Sequence, residues 1–256
     1  MEYSPELKHS LYTYCLRLGD SSLILGHRLS EWCGHGPILE EDIAMTNISL
    51  DLIGQARIIL SYAAQLEGKG RSEDDLAYLR DTREYSNALI TEQPNGDFAF
   101  TMMRQFLFNA FQFYLYEELQ KSKDSTLAAF AEKSLKEVTY HLRHSSEWIL
   151  RLGDGTDESH TRALNALEEL WRYTDDLFDA DELDHMLQKK GIAPDLAKIK
   201  ASWEKKVTEV LTRAKLAIPS DTWMMKGSRG GNHSEHLGYI LAEMQFLPRA
   251  YPGAKW

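Results

Sequence analysis

Four polar residues lie near the middle of four long, helix-like segments: Asp20, Asp51, Asn109 and Glu137. Carboxylates and histidines in such places can hold two iron ions. A di-iron four-helix bundle takes a Glu from each of two helices and a Glu-x-x-His pair from each of the other two. Here Gly54 stands three positions after Asp51, where the histidine is required, and Tyr140 stands three positions after Glu137. The spacing therefore indicates a scaffold that lacks the ligands for two iron ions.

Histidines do occur close to Glu137 in the fourth segment. His141 follows it by four positions and His144 follows by seven, and side chains at these spacings share one helix face. The literal motif occurs twice elsewhere, at Glu6-x-x-His9 and at Glu182-x-x-His185. One pair lies at the chain start and the other beyond the fourth segment, so we interpret both as ordinary surface spacing.

Three interpretations of these polar residues stay open. In the first, they are a residual polar core with no catalytic and no metal-binding residue: Asp20, Asp51, Gly54, Asn109, Glu137, Tyr140, His141 and His144. Asp51, Glu137 and His141, with Asp20 or His27, would then form hydrogen bonds that join the helices. In the second, an active metalloenzyme uses Glu31, Asp51, Glu137, His141 and His144. In the third, a helical binding protein holds a small ligand in its polar core.

The segments that carry these residues have helical periodicity, and strand-like alternation is absent. The sequence predicts core helices at about 5–32, 39–67, 97–121 and 125–152, and further helices at about 158–189, 194–216 and 232–247. Residues 71–96 are predicted to be a polar connection. Asp20 and Asp51 are equidistant from the first turn, and Asn109 and Glu137 from the second, so all four are expected at one level. We predict a single all-α domain over 1–256, a ferritin-like four-helix bundle with additional C-terminal helices.

Composition limits the classes of function. The formal net charge is −10 and the Lys and Arg residues are scattered, so we expect no nucleic-acid partner. No apolar run approaches the roughly 20 residues of a membrane span, and no leader is evident. Cys15 and Cys33 are too far apart along one predicted helix to pair, which suits a reducing compartment. We expect a cytoplasmic protein that does not bind membranes.

Several blocks of sequence resemble one known family. They are Arg17-Leu-Gly-Asp-Ser-Ser-Leu-Ile-Leu-Gly-His-Arg28, Leu50-Asp-Leu-Ile-Gly-Gln-Ala-Arg57, Gly230-Gly-Asn-His-Ser-Glu-His-Leu-Gly238, Leu241-Ala-Glu-Met-Gln245 and Tyr251-Pro-Gly-Ala-Lys-Trp256. The chain is similar, over essentially its whole length, to the PaaC family of phenylacetyl-CoA 1,2-epoxidase subunits. The C-terminal block is the most specific element of this resemblance.

The resemblance implies a non-catalytic structural subunit of an NADPH-dependent, ring-epoxidising monooxygenase complex in aerobic phenylacetate catabolism. In that family a homologous catalytic subunit, PaaA, carries the di-iron centre and the CoA-thioester substrate. A reductase with FAD and an iron–sulfur cluster supplies electrons. The implied partners are PaaA in a heteromeric core, the other epoxidase subunits and the reductase, and self-association is expected of the isolated chain. No cofactor and no catalytic residue of the family can be assigned to this chain.

Overall fold

The structure is a computed structural model that describes residues 3–220 and 222–254. Within these ranges the chain forms α-helices and short 3-10 turns and has no β-strand. The helices are α1 Pro5–Ser30, α2 Leu39–Glu67, α3 Glu73–Tyr78, α4 Phe98–Leu119, α5 Ser125–Gly153, α6 Asp157–Trp171, α7 Glu182–Lys189, α8 Leu196–Arg213, α9 Glu235–Met244 and α10 Phe246–Ala250. The predicted all-α class is confirmed, and the fold is consistent with a ferritin-like bundle. Lys255 and Trp256, the end of one family-like block, lie outside the described residues.

Local sequence signals set the ends of the four long helices. Ser4 caps the start of α1 through Leu7 N–H, with Pro5 in the first turn. Asp97 and Asp124 cap α4 and α5 in the same way. Gly68 ends α2 in the left-handed conformation, with φ of 69°, which glycine adopts without steric cost. These helices therefore match the predicted core helices to within about two residues.

Three predicted segments differ from the structure. The helix predicted at 158–189 is interrupted after Trp171, because the Thr174 hydroxyl and N–H both bond to the Trp171 carbonyl. A 3-10 turn, Asp175–Phe178, follows, and Asp181 then starts α7 through a capping box with Asp184. The helix predicted at 232–247 begins at Glu235 and breaks at Gln245 into α9 and α10. The polar connection 71–96 contains α3 and two 3-10 turns, Thr82–Glu84 and Leu89–Glu92.

The chain divides into two compact units, each with its own hairpin of long helices. The first unit, Met1–Gln93 with Gly227–Trp256, holds the α1–α2 hairpin, α3, α9 and α10. The second unit, Pro94–Lys226, holds the α4–α5 hairpin with α6, α7 and α8. A core of Leu, Ile, Met and aromatic side chains is buried in both. Each unit therefore buries its own apolar helix faces, which is what stabilises amphipathic helices in water.

The register of the first hairpin differs from the prediction. A side chain at Gly19 would meet Ile59 and Leu60, and one at Gly26 would meet Leu52 and Ile53. Asp20 therefore does not lie opposite Asp51. The part of α2 that faces Asp20 is about 12 Å further along the helix, at 1.5 Å per residue. The cause is the loop: Gly36 N–H donates to the Asp42 carboxylate at 2.9 Å, so the loop folds back along the first turn of α2.

The register of the second hairpin agrees with the prediction. The ring centroids of Tyr116 and Phe130 are 5.4 Å apart, and those of Phe98 and Trp148 are 4.9 Å apart. Both pairs are centred on residue 123, the midpoint between Asn109 and Glu137. Those two residues therefore lie at one level of the α4–α5 hairpin.

Among the described residues, α2 is the one helix long and apolar enough to cross a membrane by length and composition. Its first turn is acidic, and Met45, Leu52 and Ile59 on its inner side are fully buried. A helix packed along a hairpin has an apolar inner side too, so packing within the first unit accounts for the buried apolar side chains of α2.

The close approach of α1 to α2 requires glycine at position 19. A Cβ at Gly19 would lie 2.7 Å from Leu60 Cδ2 and 2.9 Å from Ile59 Cγ2. Gly19→Ala is expected to lower the free energy of unfolding by roughly 1–2 kcal/mol, because overpacking outweighs the gain in helix propensity. Urea unfolding measures it. Gly238→Ala in α9, where the added Cβ meets nothing within 4 Å, is the matched control and should not destabilise the protein.

Candidate functional site

The centre of the first unit is an ion pair between Asp20 of α1 and Arg80, which follows α3. The side chain of Asp20 is fully buried and that of Arg80 is 2% exposed. The guanidinium donates from Nη1 to Oδ2 at 3.0 Å and from Nη2 to Oδ1. Ser86 N–H also donates to Oδ2, at 2.9 Å. This bidentate arrangement satisfies both carboxylate oxygens without water.

Two further N–H groups of Arg80 donate to backbone carbonyls. Nε donates to the Leu76 carbonyl at 2.5 Å, and Nη1 donates to the Glu84 carbonyl at 2.9 Å. The guanidinium carbon lies 4.2 Å from the centre of the Tyr85 ring. Burial acts to lower the pKa of Arg80, but the charge of and hydrogen bonds to Asp20 raise it above the ordinary value. Arg80 is therefore a fixed cation that organises the chain around it.

Tyr85 is buried against this cation. Its hydroxyl donates to the Ala77 carbonyl at the end of α3. Burial raises the pKa of Tyr85, although the positive charge of Arg80 opposes the shift. The phenol therefore stays neutral and acts as a hydrogen-bond donor.

A second buried pair joins Glu92 to His233 in the family-like C-terminal block. The exposed fractions of the two side chains are 0% and 1%. His233 Nδ1 lies 2.9 Å from Glu92 Oε2, and Nε2 lies 2.9 Å from the Tyr85 carbonyl oxygen. Both neighbours are acceptors, and a histidine with an N–H on each ring nitrogen is an imidazolium. The geometry thus selects the charged form of His233.

The pKa of His233 agrees with this geometry. Burial alone lowers it, but the hydrogen bond to Glu92 and the Glu92 charge outweigh burial, and the pKa is raised above the ordinary histidine value. Glu92 is further satisfied by Ser234 N–H on Oε1 at 2.5 Å and by Asn87 Nδ2 on Oε2 at 2.9 Å. Because Ser234 precedes α9, Glu92 also lies at the positive end of that helix.

Two further residues attach the surrounding elements to these pairs. Gln245, at the end of α9, donates from Nε2 to the Arg80 carbonyl at 2.9 Å. Arg28 of α1 donates from Nε and Nη2 to the Glu92 carbonyl at 3.2 and 3.1 Å. The result is a buried charge network, which we define as Asp20, Arg80, Tyr85, Glu92, His233 and Gln245. It joins α1, the segment after α3 and the C-terminal helices.

The candidate site residues of the first unit are spread out. Asp20 belongs to the buried charge network, where its partner is Arg80. The expectation that Asp20 would lie beside Asp51 is wrong, because the register of the hairpin separates the two residues. Asp51 is half-buried, and a side chain at Gly54 would meet nothing within 4 Å. Burial lowers the pKa of His27. Glu31 is at the surface and forms an ion pair with Arg28 at 2.9 Å.

In the second unit the candidate residues follow α4 and α5. Asn109 and His141 are fully buried, and Asn109 Nδ2 donates to Ser145 Oγ at 3.3 Å. The Ser145 hydroxyl in turn donates to the His141 carbonyl at 2.9 Å. Tyr140 is 41% exposed and stacks on the half-buried His144, with ring centroids 6.0 Å apart. Glu137 is half-buried. Tyr140, predicted to lie in a polar core, therefore lies at the surface instead.

The donor set does not fit a di-iron centre. Over residues 3–220 and 222–254, no group of three or more His, Cys, Asp or Glu side chains is placed to hold a metal ion. Both Asp20 oxygens are taken by Arg80 and Ser86, and Gly54 contributes no ligand. The literal Glu-x-x-His pairs lie elsewhere, and Glu182 and His185 line an open surface groove on α7.

Sequence reasoning missed Arg80, Glu92 and His233. Arg80 and Glu92 lie in the connection that was predicted to be merely polar. The available signal was the C-terminal block, because His233 and Gln245 belong to the two stretches singled out as family-like. Buried ion pairs have no characteristic spacing, since Asp20 and Arg80 are 60 positions apart and Glu92 and His233 are 141 apart.

Fold and site together define an all-α protein whose polar interior is built from paired charges in the first unit. The model of the family described as phenylacetic acid catabolic protein (PaaA_PaaC) matches residues 2–256, and the chain belongs to this family. It is 50% identical over 248 residues to the PaaC subunit of the 1,2-phenylacetyl-CoA epoxidase of Escherichia coli (strain K12). That alignment covers 97% of this chain and 100% of the relative. The resemblance noted from the sequence is confirmed.

The Arg80 pair gives a prediction for stability. Arg80→Met is expected to lower the free energy of unfolding by about 3–5 kcal/mol, because it leaves the Asp20 carboxylate buried without its cation. Arg162→Met is the matched control. Arg162 also bonds two carboxylates, of Asp97 and Glu158, but it is 53% exposed, so its replacement should leave the free energy of unfolding nearly unchanged. Denaturant unfolding measures these changes, and the double variant Asp20→Leu with Arg80→Met should recover part of the lost free energy of unfolding. Equal losses on replacing Arg80 and Arg162 would contradict this account.

The His233 pair gives a prediction for pH dependence. Because the folded pKa is raised, the pair contributes its stability fully below the unfolded histidine pKa of about 6.5. That contribution is lost as pH rises through the folded pKa. The difference in unfolding free energy between the native chain and His233→Gln should therefore shrink as pH rises from about 6 towards about 9. Urea unfolding at several pH values measures it, and a difference that grows with pH would overturn the assignment.

Proposed function

We propose that this chain is a non-catalytic, structural subunit of a bacterial phenylacetyl-CoA epoxidase complex. In this role it stabilises and positions a homologous di-iron catalytic subunit during aerobic phenylacetate catabolism. The family match and the relative named as a subunit of 1,2-phenylacetyl-CoA epoxidase support the assignment to such a complex. The observation that carries the structural role is the pairing of Asp20 with Arg80, because a carboxylate held by two guanidinium nitrogens is not available as a metal ligand.

The positions expected to hold iron support the same proposal. A di-iron centre needs ligands that converge from several helices. In this chain Gly54 has no side chain to offer and Tyr140 is at the helix surface. Asp51, Glu137, His141 and His144 are then proposed to be residual polar positions with a packing role. We assign no metal and no catalytic residue to this chain.

The proposal places the cofactors in the partner proteins. The di-iron centre belongs to the catalytic PaaA subunit, and FAD and the iron–sulfur cluster belong to the reductase that takes electrons from NADPH. The chain itself binds PaaA in a heteromeric core, which also meets the other epoxidase subunits, and it resides in the cytoplasm. Its net charge of −10 suits a soluble complex and disfavours nucleic acid.

The competing metalloenzyme assignment rests on Glu31, Asp51, Glu137, His141 and His144. Glu31 is exposed and paired with Arg28, so it supplies no buried ligand. No observation favours this second function, and iron analysis separates it from the first.

The test is co-expression of the tagged chain with the neighbouring epoxidase subunits in iron-rich medium. The chain should co-purify with the catalytic subunit, the complex should contain iron, and the isolated chain should contain only traces. Asp51→Ala and Glu137→Ala should each leave turnover per assembled complex unchanged. Near-stoichiometric iron in the isolated chain, or lost turnover with assembly and stability intact, would contradict the proposal.

A further inference from the structure

Two amide side chains lie on one face of α4 in the second unit. Gln105 and Asn109 are four residues apart, which makes them neighbours one helical turn apart. Gln105 is 2% exposed and Asn109 is fully buried. Asn109 Nδ2 donates to the Ser145 hydroxyl of α5 at 3.3 Å, so Asn109 is turned towards α5. We call Gln105, Asn109 and Ser145 the amide cluster.

The amide cluster contains buried polar atoms without a partner. Among the described residues, Gln105 Oε1 and Nε2 form no hydrogen bond, and Asn109 Oδ1 forms none either. All three atoms are shielded from bulk solvent. Burying a polar atom without a hydrogen bond is costly, and nearly all buried polar atoms in folded proteins have a partner. The cluster therefore needs a ligand that can both donate and accept hydrogen bonds.

The side chains of the cluster do not meet this need themselves. A glutamine and an asparagine four residues apart on a helix can form a side-chain hydrogen bond. Gln105 Nε2 is a donor and Asn109 Oδ1 an acceptor, yet no hydrogen bond joins the two atoms. The hydroxyl hydrogen of Ser145 is already used, because it is donated to the His141 carbonyl at 2.9 Å. Ser145 therefore cannot donate to Asn109 Oδ1.

We propose that the amide cluster binds internal water, with at least one molecule bridging Gln105 Nε2 and Asn109 Oδ1. The water oxygen accepts from the amide N–H, and one water hydrogen is donated to Asn109 Oδ1. A second water molecule donates to Gln105 Oε1. Buried water typically makes about three hydrogen bonds to polar groups that would otherwise be unsatisfied, as these three atoms are. The site does not depend on the proposed function, because it concerns only how the interior of the second unit is satisfied.

The chemistry of the cluster favours water over other occupants. Both amides are neutral, and over residues 3–220 and 222–254 no group of three or more His, Cys, Asp or Glu is placed to hold a metal ion. An anion needs donors, but two of the three unpartnered atoms are amide oxygens. An apolar molecule would leave all three atoms unbonded. Water both donates and accepts, so it matches the whole set.

Oxygen-17 magnetic relaxation dispersion of the purified full chain tests the proposal, because it counts water molecules that stay bound while the protein tumbles. Gln105→Leu should remove at least one such molecule, since it deletes both unpartnered atoms of the side chain. Gln65→Leu is the matched control, because Gln65 is exposed on α2, and it should leave the count unchanged. Circular dichroism and thermal unfolding confirm that each variant is folded, and Gln105→Met replaces Gln105→Leu if the latter does not fold.

A double variant tests whether one water molecule bridges the two amides. Asn109→Leu should remove the same bridging molecule as Gln105→Leu, so the double variant should lose fewer molecules than the two single variants added together. A high-resolution crystal structure of the native chain should show that molecule within about 3.2 Å of Gln105 Nε2 and Asn109 Oδ1. An unchanged count in folded Gln105→Leu, or additive losses in the double variant, would overturn the proposal. So would density for a direct Gln105–Asn109 bond, a metal ion or an organic molecule.

Discussion

The first unit depends on the burial of one carboxylate beside one guanidinium. Removing Asp20 and Arg80 from water is costly, and the cost is offset because both carboxylate oxygens and four guanidinium N–H groups find partners. Those partners are backbone groups of residues 76–86, a stretch with little regular structure. The pair thus forms hydrogen bonds with buried backbone N–H and C=O groups of this stretch, which in a helix or a sheet would bond to each other. The path of the chain from α3 to residue 86 follows from that requirement.

The second buried pair, Glu92 and His233, attaches the C-terminal segment in the same way. Glu92 is the last residue of a 3-10 turn, and its backbone carbonyl accepts a hydrogen bond from Arg28 of α1. The Glu92 carboxylate accepts hydrogen bonds from both His233 and Ser234 N–H. Since His233 also bonds the Tyr85 carbonyl, the two pairs share the segment between them. Both α1 and the C-terminal segment therefore hold residues 80–92 in place. Cooperative loss of α9 and of the 71–96 segment on unfolding is the physical consequence.

Sequence patterns predicted the elements of this fold better than its register and its site. Helical periodicity and capping residues are local, and they placed α1, α2, α4 and α5 to within about two residues. The midpoint rule worked for Asn109 and Glu137, where a short turn joins the helices. It failed for Asp20 and Asp51, because the hydrogen bond from Gly36 to Asp42 folds the longer loop along α2. Arg80 and His233 escaped notice because their partners are distant in sequence and no spacing rule relates them.

The Arg80 pair also explains how the first unit can keep a fully buried carboxylate. A buried carboxylate needs a compensating positive charge, which in a di-iron protein the metal ions supply. A guanidinium meets the same need for Asp20, but it has no open coordination position and cannot be deprotonated in a protein. Arg80 therefore balances the charge of Asp20 within the first unit.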